Sequence, residues 1–370
     1  MTGGNVDAAP MRILHVTEAM ASGILSFIDS ISRRQIEEGA EVSVLHTVRT
    51  DTPPADAIVA RLDERVAVLP PIDRGSTATN VLGLIGEVRR LARSGRFDVI
   101  HLHSSLAGGA RAALGAHGES VFYSPHGFAF LRENTPRLVR LATLWVERLL
   151  ARRSTLVVTS AGEIDIAREQ LKAPRVDYLQ SGVPAASITP RVHVDGERPR
   201  VTMVGRIAYQ KAPWRFAAIA RELADLGEFL WVGGGEDEDR ESWIGDAPVV
   251  LRQWVTPEEL EEIFTGTDVL LFPSLWEGMS LSLIHAQGRG IPAVTTDIVG
   301  NRDTVEHGVT GFVCATDAEL LEATRTLLLD AELRQRMGDA AQERIRRHFT
   351  DDRIGIDSLA IYRTRGGARR

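Results

Sequence analysis

Apolar residues occur in two alternating patterns along this chain. Short apolar runs, such as MRILHVT at residues 11–17, are typical of buried parallel strands. Between them lie longer segments in which apolar residues return every three or four positions, as at residues 24–38, which is typical of amphipathic helices. The alternation continues to about Tyr362. It predicts parallel sheets with helices on both faces, an α/β fold.

The predicted elements form two groups. The first has strands at 11–17, 41–47, 65–69, 97–102, 120–123, 156–159 and 176–179, and helices at 24–38, 81–93, 107–117, 136–153 and 161–170. The second has strands at 200–204, 229–232, 249–251, 268–272, 293–295 and 312–314. It also has one helix that ends near residue 226, and four more at 257–265, 279–287, 318–330 and 331–348. Each group matches one Rossmann-like, doubly wound sheet.

A chain of 370 residues is long for one hydrophobic core and sufficient for two. Residues 186–198 are rich in Pro and polar residues and show no apolar periodicity, so they predict a linker. We therefore divide the chain into five segments. They are a disordered tail at 1–10, an N-terminal domain at 11–185, the linker at 186–198, a C-terminal domain at 199–350, and a helix with a tail at 351–370.

The composition excludes several classes of protein. A hydrophobic fraction of 44% with 25% charged residues is ordinary for a globular protein, and a net charge of −7 argues against general nucleic-acid binding. The single cysteine, Cys314, excludes an internal disulfide and indicates a reducing compartment. The first ten residues do not resemble a signal peptide, and no apolar stretch reaches the roughly 18 residues of a membrane span. We therefore expect a cytoplasmic protein.

The stretch at 268–294 combines features that predict an anion site. A buried strand at 268–272 leads into a loop with one carboxylate, Glu277, and then into a helix for which Ser280 is a suitable N-cap. Unpaired amides at such a helix N-terminus bind anions. These amides belong to Gly278, Met279, Ser280 and Leu281. Because Glu277 would repel a phosphate, it is better suited to accept hydrogen bonds from hydroxyls, and a sugar beside a phosphate supplies both.

Two further loops follow predicted strands directly. In GRIAYQK, residues 205–211, Arg206 and Lys211 can reach a pyrophosphate at the carboxyl edge of the sheet; the alternative is two solvated cations on a loop. In SPHGFAF, residues 124–130, His126 follows a strand of the first domain. We find no Cys and His spacing typical of zinc sites.

The stretch around Glu277 resembles the C-terminal signature of family 4 glycosyltransferases, retaining enzymes of GT-B fold in which two Rossmann-like domains face each other across a cleft. The family pattern is Glu, seven residues, Glu. The matching positions are Pro273, Ser274, Glu277, Gly278, Leu281, Ala286, Gly290, Ile291, Pro292 and Val294. The second Glu is replaced by His285, which can bond a hydroxyl but lacks two acceptor oxygens.

The resemblance implies roles for these residues. Glu277 and His126 would orient the donor sugar, and His285 would occupy the ribose position. Arg206 and Lys211, with Gly205 beside them, would hold the donor diphosphate in place of the metal ion that other glycosyltransferases use. Gly23 alone remains of a family Gly-Gly loop near the donor phosphate.

The implied function is transfer of a sugar, with retention, from a nucleotide-diphosphate sugar to a saccharide or a lipid-linked acceptor. The usual roles of the family suggest cell-envelope or exopolysaccharide synthesis, and the resemblance implies a reaction that uses no cofactor and no metal ion. The N-terminal domain would face the acceptor, the C-terminal domain would bind the nucleotide sugar, and the C-terminal helix would cross back to the N-terminal domain. Two alternatives remain open: a nucleotide-sugar epimerase, and a non-catalytic subunit that binds nucleotide sugars.

The predicted helix at 136–153 carries an apolar stripe beside several arginines. The stripe includes Leu138, Leu141, Trp145 and Leu149. We favour a helix packed against the sheet, because most amphipathic helices of globular domains face a core. The alternative is contact with anionic lipid, which would place the enzyme peripherally at the inner membrane face.

Overall fold

The computed structural model describes residues 9–115, 120–189 and 198–366. Most of the predicted N-terminal tail, the end of the predicted helix at 107–117, most of the linker and the last four residues lie outside this part of the chain. The chain divides into two compact units. Unit 1 comprises 1–130, 141–180 and 351–370, and unit 2 comprises 131–140 and 181–350.

The strands form one parallel sheet in each unit. Those of unit 1 are β1 Arg12–Thr17, β2 Glu41–His46, β3 Ala67–Val68, β4 Val99–His103, β5 Val121–Ser124, β6 Thr155–Val158 and β7 Val176–Tyr178. Those of unit 2 are β8 Arg200–Val204, β9 Glu228–Val232, β10 Val249–Arg252, β11 Val269–Phe272, β12 Ala293–Thr296 and β13 Gly311–Cys314. The strand orders are 3-2-1-4-5-6-7 and 10-9-8-11-12-13, which is the Rossmann arrangement in both units.

Most of the helices lie where the periodicity predicts them. They are α1 Ser22–Glu37, α2 Ala55–Arg61, α3 Thr77–Arg93, α4 Ser105–Gly108, α5 Arg137–Leu150, α6 Ala161–Asp165, α7 Pro213–Leu223, α8 Asp237–Trp243, α9 Pro257–Thr265, α10 Leu281–Gly288, α11 Asn301–Thr304, α12 Asp317–Leu329, α13 Ala331–His348 and α14 Ile354–Arg365. The expected helix at 107–117 is instead α4 followed by a 3₁₀ turn. Its small residues supply little apolar area to hold a longer helix.

Helix α14 packs on α1, although unit 2 separates them in sequence. The Arg34 guanidinium lies 2.7 Å from an Asp351 carboxylate oxygen, and the Ser30 hydroxyl donates to the other at 2.8 Å. At Gly355 an added Cβ would lie 2.5 Å from the carbonyl oxygen of Arg34, so the two helices approach more closely than a side chain would allow. The segment after residue 350 therefore completes unit 1.

Helix α5 corrects the expectation that its apolar stripe packs against the sheet. Leu141, Trp145 and Leu149 are 54%, 61% and 67% exposed. The buried side of the helix instead carries Glu147, whose carboxylate pairs with the buried Arg111 at 2.6 Å and accepts from the hydroxyl of Tyr123 at 2.9 Å. Periodicity predicted the helix correctly, but the stripe faces outward.

Candidate functional site

The order of each sheet creates a switch point where the chain changes direction across the sheet. In unit 1 it lies between β1 and β4, and in unit 2 between β8 and β11. Ligands of doubly wound sheets bind outside the carboxyl ends of the strands at such points. The predicted site residues of unit 2 follow β8 and β11, and those of unit 1 follow β1 and β5.

In unit 2 the switch point brings Lys211 and Glu277 together. The Lys211 ammonium lies 2.6 Å from a Glu277 carboxylate oxygen and 4.5 Å from the centroid of the Phe272 ring. Gln210 binds the loop that carries Glu277, since its side-chain amide donates to the Trp276 carbonyl at 2.8 Å and to the second Glu277 carboxylate oxygen at 3.3 Å. Glu277 is only 9% exposed. The carboxylate is therefore fixed in place by two neighbouring side chains.

The N-terminus of α10 lies beside this pair and has the features of an anion site. Ser280 is the N-cap residue, but its side chain makes no capping bond; its hydroxyl lies 3.0 Å from that of Ser282. Within the described residues, the backbone amides of 278–281 have no hydrogen-bond partner. These free donors and the helix dipole together favour a negatively charged ligand.

Gly300 explains how the loop after β11 is held. Its φ is +84°, and an added Cβ would lie 1.8 Å from the carbonyl oxygen of Gly278. Any side chain at this position would push the loop that carries Glu277 away. This close backbone contact shows why glycine is required there.

Arg206 and His285 are two other predicted residues of unit 2. Arg206 lies in the loop after β8 with an exposed side chain. His285, on α10, is 2.6 Å from a carboxylate oxygen of Glu261 on α9, and this contact lowers the pKa of Glu261. His285 also packs edge-on against Phe264, with ring centroids 5.1 Å apart. Its expected contact with a ribose stays a prediction.

Backbone strain marks the carboxyl edges of both sheets. Five residues other than glycine in the described chain have positive φ, and four follow strands at these edges. They are Ser22, Ser104 and His126 in unit 1, and Ala212 in unit 2. Such conformations cost about 1–3 kcal/mol each and collect at functional sites. The strain supports the same two switch points that the motifs indicate.

His126 is held from several sides in unit 1. Its Nε2 lies 3.0 Å from Nδ1 of His103, and its ring packs edge-on against Phe27 at 4.7 Å. The next residue, Gly127, donates its amide to the buried carboxylate of Glu163 at 3.0 Å. Burial raises the pKa of Glu163. Sequence reasoning missed Glu163, because nothing in its own helix indicates that it supports a distant loop.

Glu18 and Gly23 lie near the end of β1. Glu18 is buried, accepts a hydrogen bond from the Ser104 hydroxyl and lies 3.7 Å from the Arg49 guanidinium. The sequence did not single out Glu18. An added Cβ at Gly23 would meet open space, and the N-cap of α1, Ala21, provides no side-chain bond. The amides that begin α1 therefore remain accessible to a ligand, as the predicted phosphate contact of Gly23 requires.

Three histidines on β1 and β4 form a buried cluster that the sequence did not predict. His15, His101 and His103 are fully buried, and one ring nitrogen of each lies within 4.8 Å of the others. Burial lowers the pKa of all three, to about 4 for His15. All are therefore uncharged at neutral pH. Each ring nitrogen of the three lies within hydrogen-bond distance of a protein group.

The two halves of the chain match successive models of one enzyme family. Residues 22–182 match the glycosyl transferase 4-like domain, and residues 198–330 match the glycosyl transferases group 1 domain. The chain belongs to the group 1, or family 4, glycosyltransferases. It is accordingly an enzyme that transfers glycosyl groups, as the motif around Glu277 predicted.

Relatives and solved structures agree with this assignment. The chain is 27% identical over 274 residues to the Escherichia coli UDP-Gal:alpha-D-GlcNAc-diphosphoundecaprenol alpha-1,3-galactosyltransferase, covering 67% of this chain and 70% of that one. Sucrose-phosphate synthase from Thermosynechococcus elongatus superposes with a TM-score of 0.79 at 17% identity over 96% of this chain and 98% of that one. Anabaena HepE, solved with UDP and glucose, superposes with a TM-score of 0.76 at 15% identity, over 95% of this chain and 99% of that one. The predicted GT-B fold is confirmed in its two parallel-sheet α/β domains.

No helix within the described ranges is both long enough and apolar enough to cross a bilayer.

Proposed function

We propose that this glycosyltransferase moves a sugar from a nucleoside-diphosphate sugar to a hydroxyl-bearing acceptor, with retention at the anomeric carbon and without a metal ion. The observation that carries the proposal is the contact between Lys211 and Glu277 beside the free amides of α10. This arrangement offers positive charge and N–H donors for a diphosphate, and carboxylate oxygens for the hydroxyls of the attached sugar.

The charge that develops on the departing diphosphate is the main electrostatic problem of the reaction. Lys211, Arg206 and the α10 amides would stabilise that charge, which is the role a metal ion takes elsewhere. In the retaining reaction that the family resemblance implies, the bond from the anomeric carbon to the phosphate oxygen breaks and the acceptor oxygen forms the new bond on the same face. The acceptor proton passes to the departing phosphate. No side chain is required as a nucleophile.

Two relatives support the classes of donor and acceptor. The Escherichia coli relative is named for UDP-Gal and a diphosphoundecaprenol-linked acceptor, and Anabaena HepE was solved with UDP and glucose. We infer a nucleotide sugar as donor and a saccharide or lipid-linked saccharide as acceptor, in cell-envelope or polysaccharide synthesis.

The exposed side of α5 supports a peripheral contact with a membrane that carries such an acceptor. Leu141, Trp145 and Leu149 lie on one side of the helix and are more than half exposed. Arg137 and Arg148 flank this side, so that cations and apolar groups meet the same surface. We propose that α5 rests in the headgroup region of an anionic bilayer.

The catalytic proposal is tested by incubating the protein with radiolabelled nucleotide sugars. A transferase releases free sugar slowly by donor hydrolysis, an epimerase forms a new nucleotide sugar, and a non-catalytic subunit does neither. Glu277→Gln and Lys211→Ala should each remove most of the turnover, since each disrupts the ion pair. Glu332→Gln, an exposed change on α13, is the matched control. Wild-type rates in either site variant would reject the site.

A further inference from the structure

A continuous line of hydrogen bonds runs from His126 into the core of unit 1. His126 Nε2 lies 3.0 Å from His103 Nδ1, and His103 Nε2 lies 2.9 Å from His15 Nδ1. His15 Nε2 in turn lies 2.9 Å from the amide oxygen of Gln35. His15, His103 and Gln35 are fully buried, so bulk solvent does not reach these bonds. The direction of each bond therefore follows from that of its neighbours.

The inner end of this line is fixed by Ser358 on α14. Its hydroxyl donates to the carbonyl of Gly355 at 2.9 Å. A hydroxyl has one proton, so towards Gln35 it can only accept. The Gln35 amide nitrogen is the donor, at 2.9 Å from the Ser358 oxygen. The amide oxygen of Gln35 consequently faces His15.

A second set of bonds fixes Gln35 independently. The Ser124 hydroxyl donates to the Val157 carbonyl at 2.6 Å, so it must accept from His101 Nε2, which is 2.9 Å away. A neutral His101 then presents a lone pair at Nδ1, to which the Tyr362 hydroxyl donates at 2.6 Å. Because the Tyr362 hydroxyl uses its one proton in the hydrogen bond to His101, it can only accept from the Gln35 amide, which is 3.4 Å away. Both anchors give Gln35 the same orientation.

The orientation of Gln35 sets the tautomer of every histidine in the line. A neutral imidazole has one donor and one acceptor nitrogen. Because Gln35 offers an oxygen, His15 carries its proton on Nε2 and accepts at Nδ1 from His103 Nε2. His103 then accepts at Nδ1 from His126 Nε2. Burial keeps these rings neutral by lowering the pKa of His15 and His126 to about 4.

We propose that Gln35, His15 and His103 are positioning residues that fix His126 as its Nε2–H tautomer, so that Nδ1 accepts a hydrogen bond from a hydroxyl of the saccharide substrate. No residue in the described ranges bonds to this Nδ1. A phosphate oxygen or a carbonyl has no proton to give and would be disfavoured at this nitrogen. The inference rests on the proposed function for the identity of the ligand, and the hydroxyl can belong to the donor sugar or to the acceptor.

The buried cluster of His15, His101 and His103 could instead bind a metal ion, since one ring nitrogen of each lies within 4.8 Å of the others. The geometry favours the hydrogen-bonded line. All six ring nitrogens of the three already face protein partners, and the His15 and His103 nitrogens lie at hydrogen-bond distance from each other. A metal would have to displace several of these bonds.

The test reads the tautomers directly in the full chain without substrate. Protein labelled with [¹⁵N]histidine gives a long-range ¹H–¹⁵N correlation spectrum in which the two tautomers have different patterns, and His126→Asn identifies the signals of His126. The expected result is one Nε2–H tautomer for His126. An Nδ1–H tautomer, a mixture of both, or a stoichiometric metal ion in elemental analysis of the purified protein would overturn the proposal.

A pair of variants on α1 links the tautomer to activity. Gln35→Met removes the acceptor for His15 and should give mixed tautomers at His126, with kcat/KM about tenfold lower for loss of one directed hydrogen bond. Ser32→Ala is the control, because Ser32 is equally buried but its hydroxyl bonds to the Ile28 carbonyl and not to the histidines. An unchanged tautomer together with unchanged kcat/KM in Gln35→Met would overturn the proposal.

Two measurements separate the possible sources of the hydroxyl. If Gln35→Met slows donor hydrolysis and transfer equally, His126 accepts from the donor sugar; if it slows only transfer, His126 accepts from the acceptor. Either result supports the proposal. Because the tautomer is read without substrate, a wrong tautomer rejects this inference alone. A wild-type protein that turns over no nucleotide sugar rejects the proposed function instead.

Discussion

Lysine is almost absent from this chain. Of its 43 Lys and Arg residues, only Lys172 and Lys211 are lysines. Lys211 lies between a carboxylate and an aromatic face, at 2.6 Å from Glu277 and 4.5 Å from the Phe272 centroid. A compact ammonium fits this space and directs its donors freely, whereas a guanidinium is planar and longer. The use of lysine here therefore reflects shape as well as charge.

Lys211→Arg should consequently lose most activity although the charge is retained. We expect kcat/KM to fall about 100-fold, the scale for loss of one well-placed electrostatic donor. The matched control is Lys172→Arg, because Lys172 is exposed and remote in sequence from the motif. Steady-state kinetics with one nucleotide sugar compares the two. Near-normal activity of Lys211→Arg would show that charge alone is sufficient.

The buried histidines predict a pH-dependent stability. Burial lowers the pKa of His15 from 6.5 to about 4, and those of His101 and His103 fall well below 6.5. Below pH 6.5 the unfolded chain therefore binds protons that the folded chain excludes. The free energy of unfolding should be full above pH 6.5 and fall as the pH drops towards 4, by about 1.4 kcal/mol per pH unit for each histidine.

Urea denaturation followed by circular dichroism between pH 4.5 and 7.5 measures this effect. His15→Asn should flatten the slope between pH 6.5 and 4.5, whereas His348→Asn, which changes an exposed histidine on α13, should not. A stability that stays constant across this range would contradict neutral buried histidines.

Single residues were predictable where one local segment contains the whole signal. Glu277 and Lys211 follow predicted strands and stand in recognisable loops, and the structure brings them together. Gln35 and Glu163 could not be found this way. Their roles depend on partners in other elements, such as Ser358 for Gln35 and Gly127 for Glu163, whose positions only the fold defines.

At the scale of elements, periodicity predicted the strands and most of the helices, but not the short helices α2 and α11. Periodicity does not reveal helices that are too short to show a pattern, and it does not reveal which surroundings an apolar stripe faces. Helix α2, Ala55–Arg61, buries only Ile58 and leaves too short a pattern to recognise. For α5 the apolar periodicity predicted the helix correctly, but periodicity alone does not indicate whether the apolar side faces a core or a lipid surface. That choice depends on which side Glu147 anchors.

Helix α5 should bind anionic vesicles through its apolar side. Trp145→Ala and Leu149→Ser should each weaken co-sedimentation with phosphatidylglycerol-containing vesicles about tenfold, since each removes apolar area that would enter the bilayer. Trp254→Ala and Leu329→Ser are matched controls, because these side chains are 59% and 66% exposed on unit 2. Equal losses in all variants, or no binding by the wild type, would contradict a role for α5.

At the scale of the molecule, the two sheets and their strand alternation followed from the sequence, but the composition of unit 1 did not follow from local patterns. Its core is completed by α14, which follows unit 2 in sequence. Tyr362 on α14 is 1% exposed and meets the buried His101 at 2.6 Å. Only the resemblance suggested this return, because no local pattern specifies which of two sheets a following helix will join.

Removing residues 351–370 should therefore destabilise unit 1 and spare unit 2, whose larger segment, 181–350, is continuous. The deletion leaves the buried polar groups of Gln35 and His101 without their partners on α14. Calorimetry should show one transition near its original temperature and one lowered or lost. A peptide of residues 351–366 added in trans should restore part of it. Equal loss in both transitions would argue against this division.

The return of α14 also affects how the protein is made. The first unit to leave the ribosome is completed only after the whole of the second has been synthesised. At about 5–20 residues per second, translation of residues 181–350 takes on the order of ten to thirty seconds. During that interval the face of α1 that will receive α14 has no cover, so newly made chains should depend on chaperones until their C-terminal segment arrives.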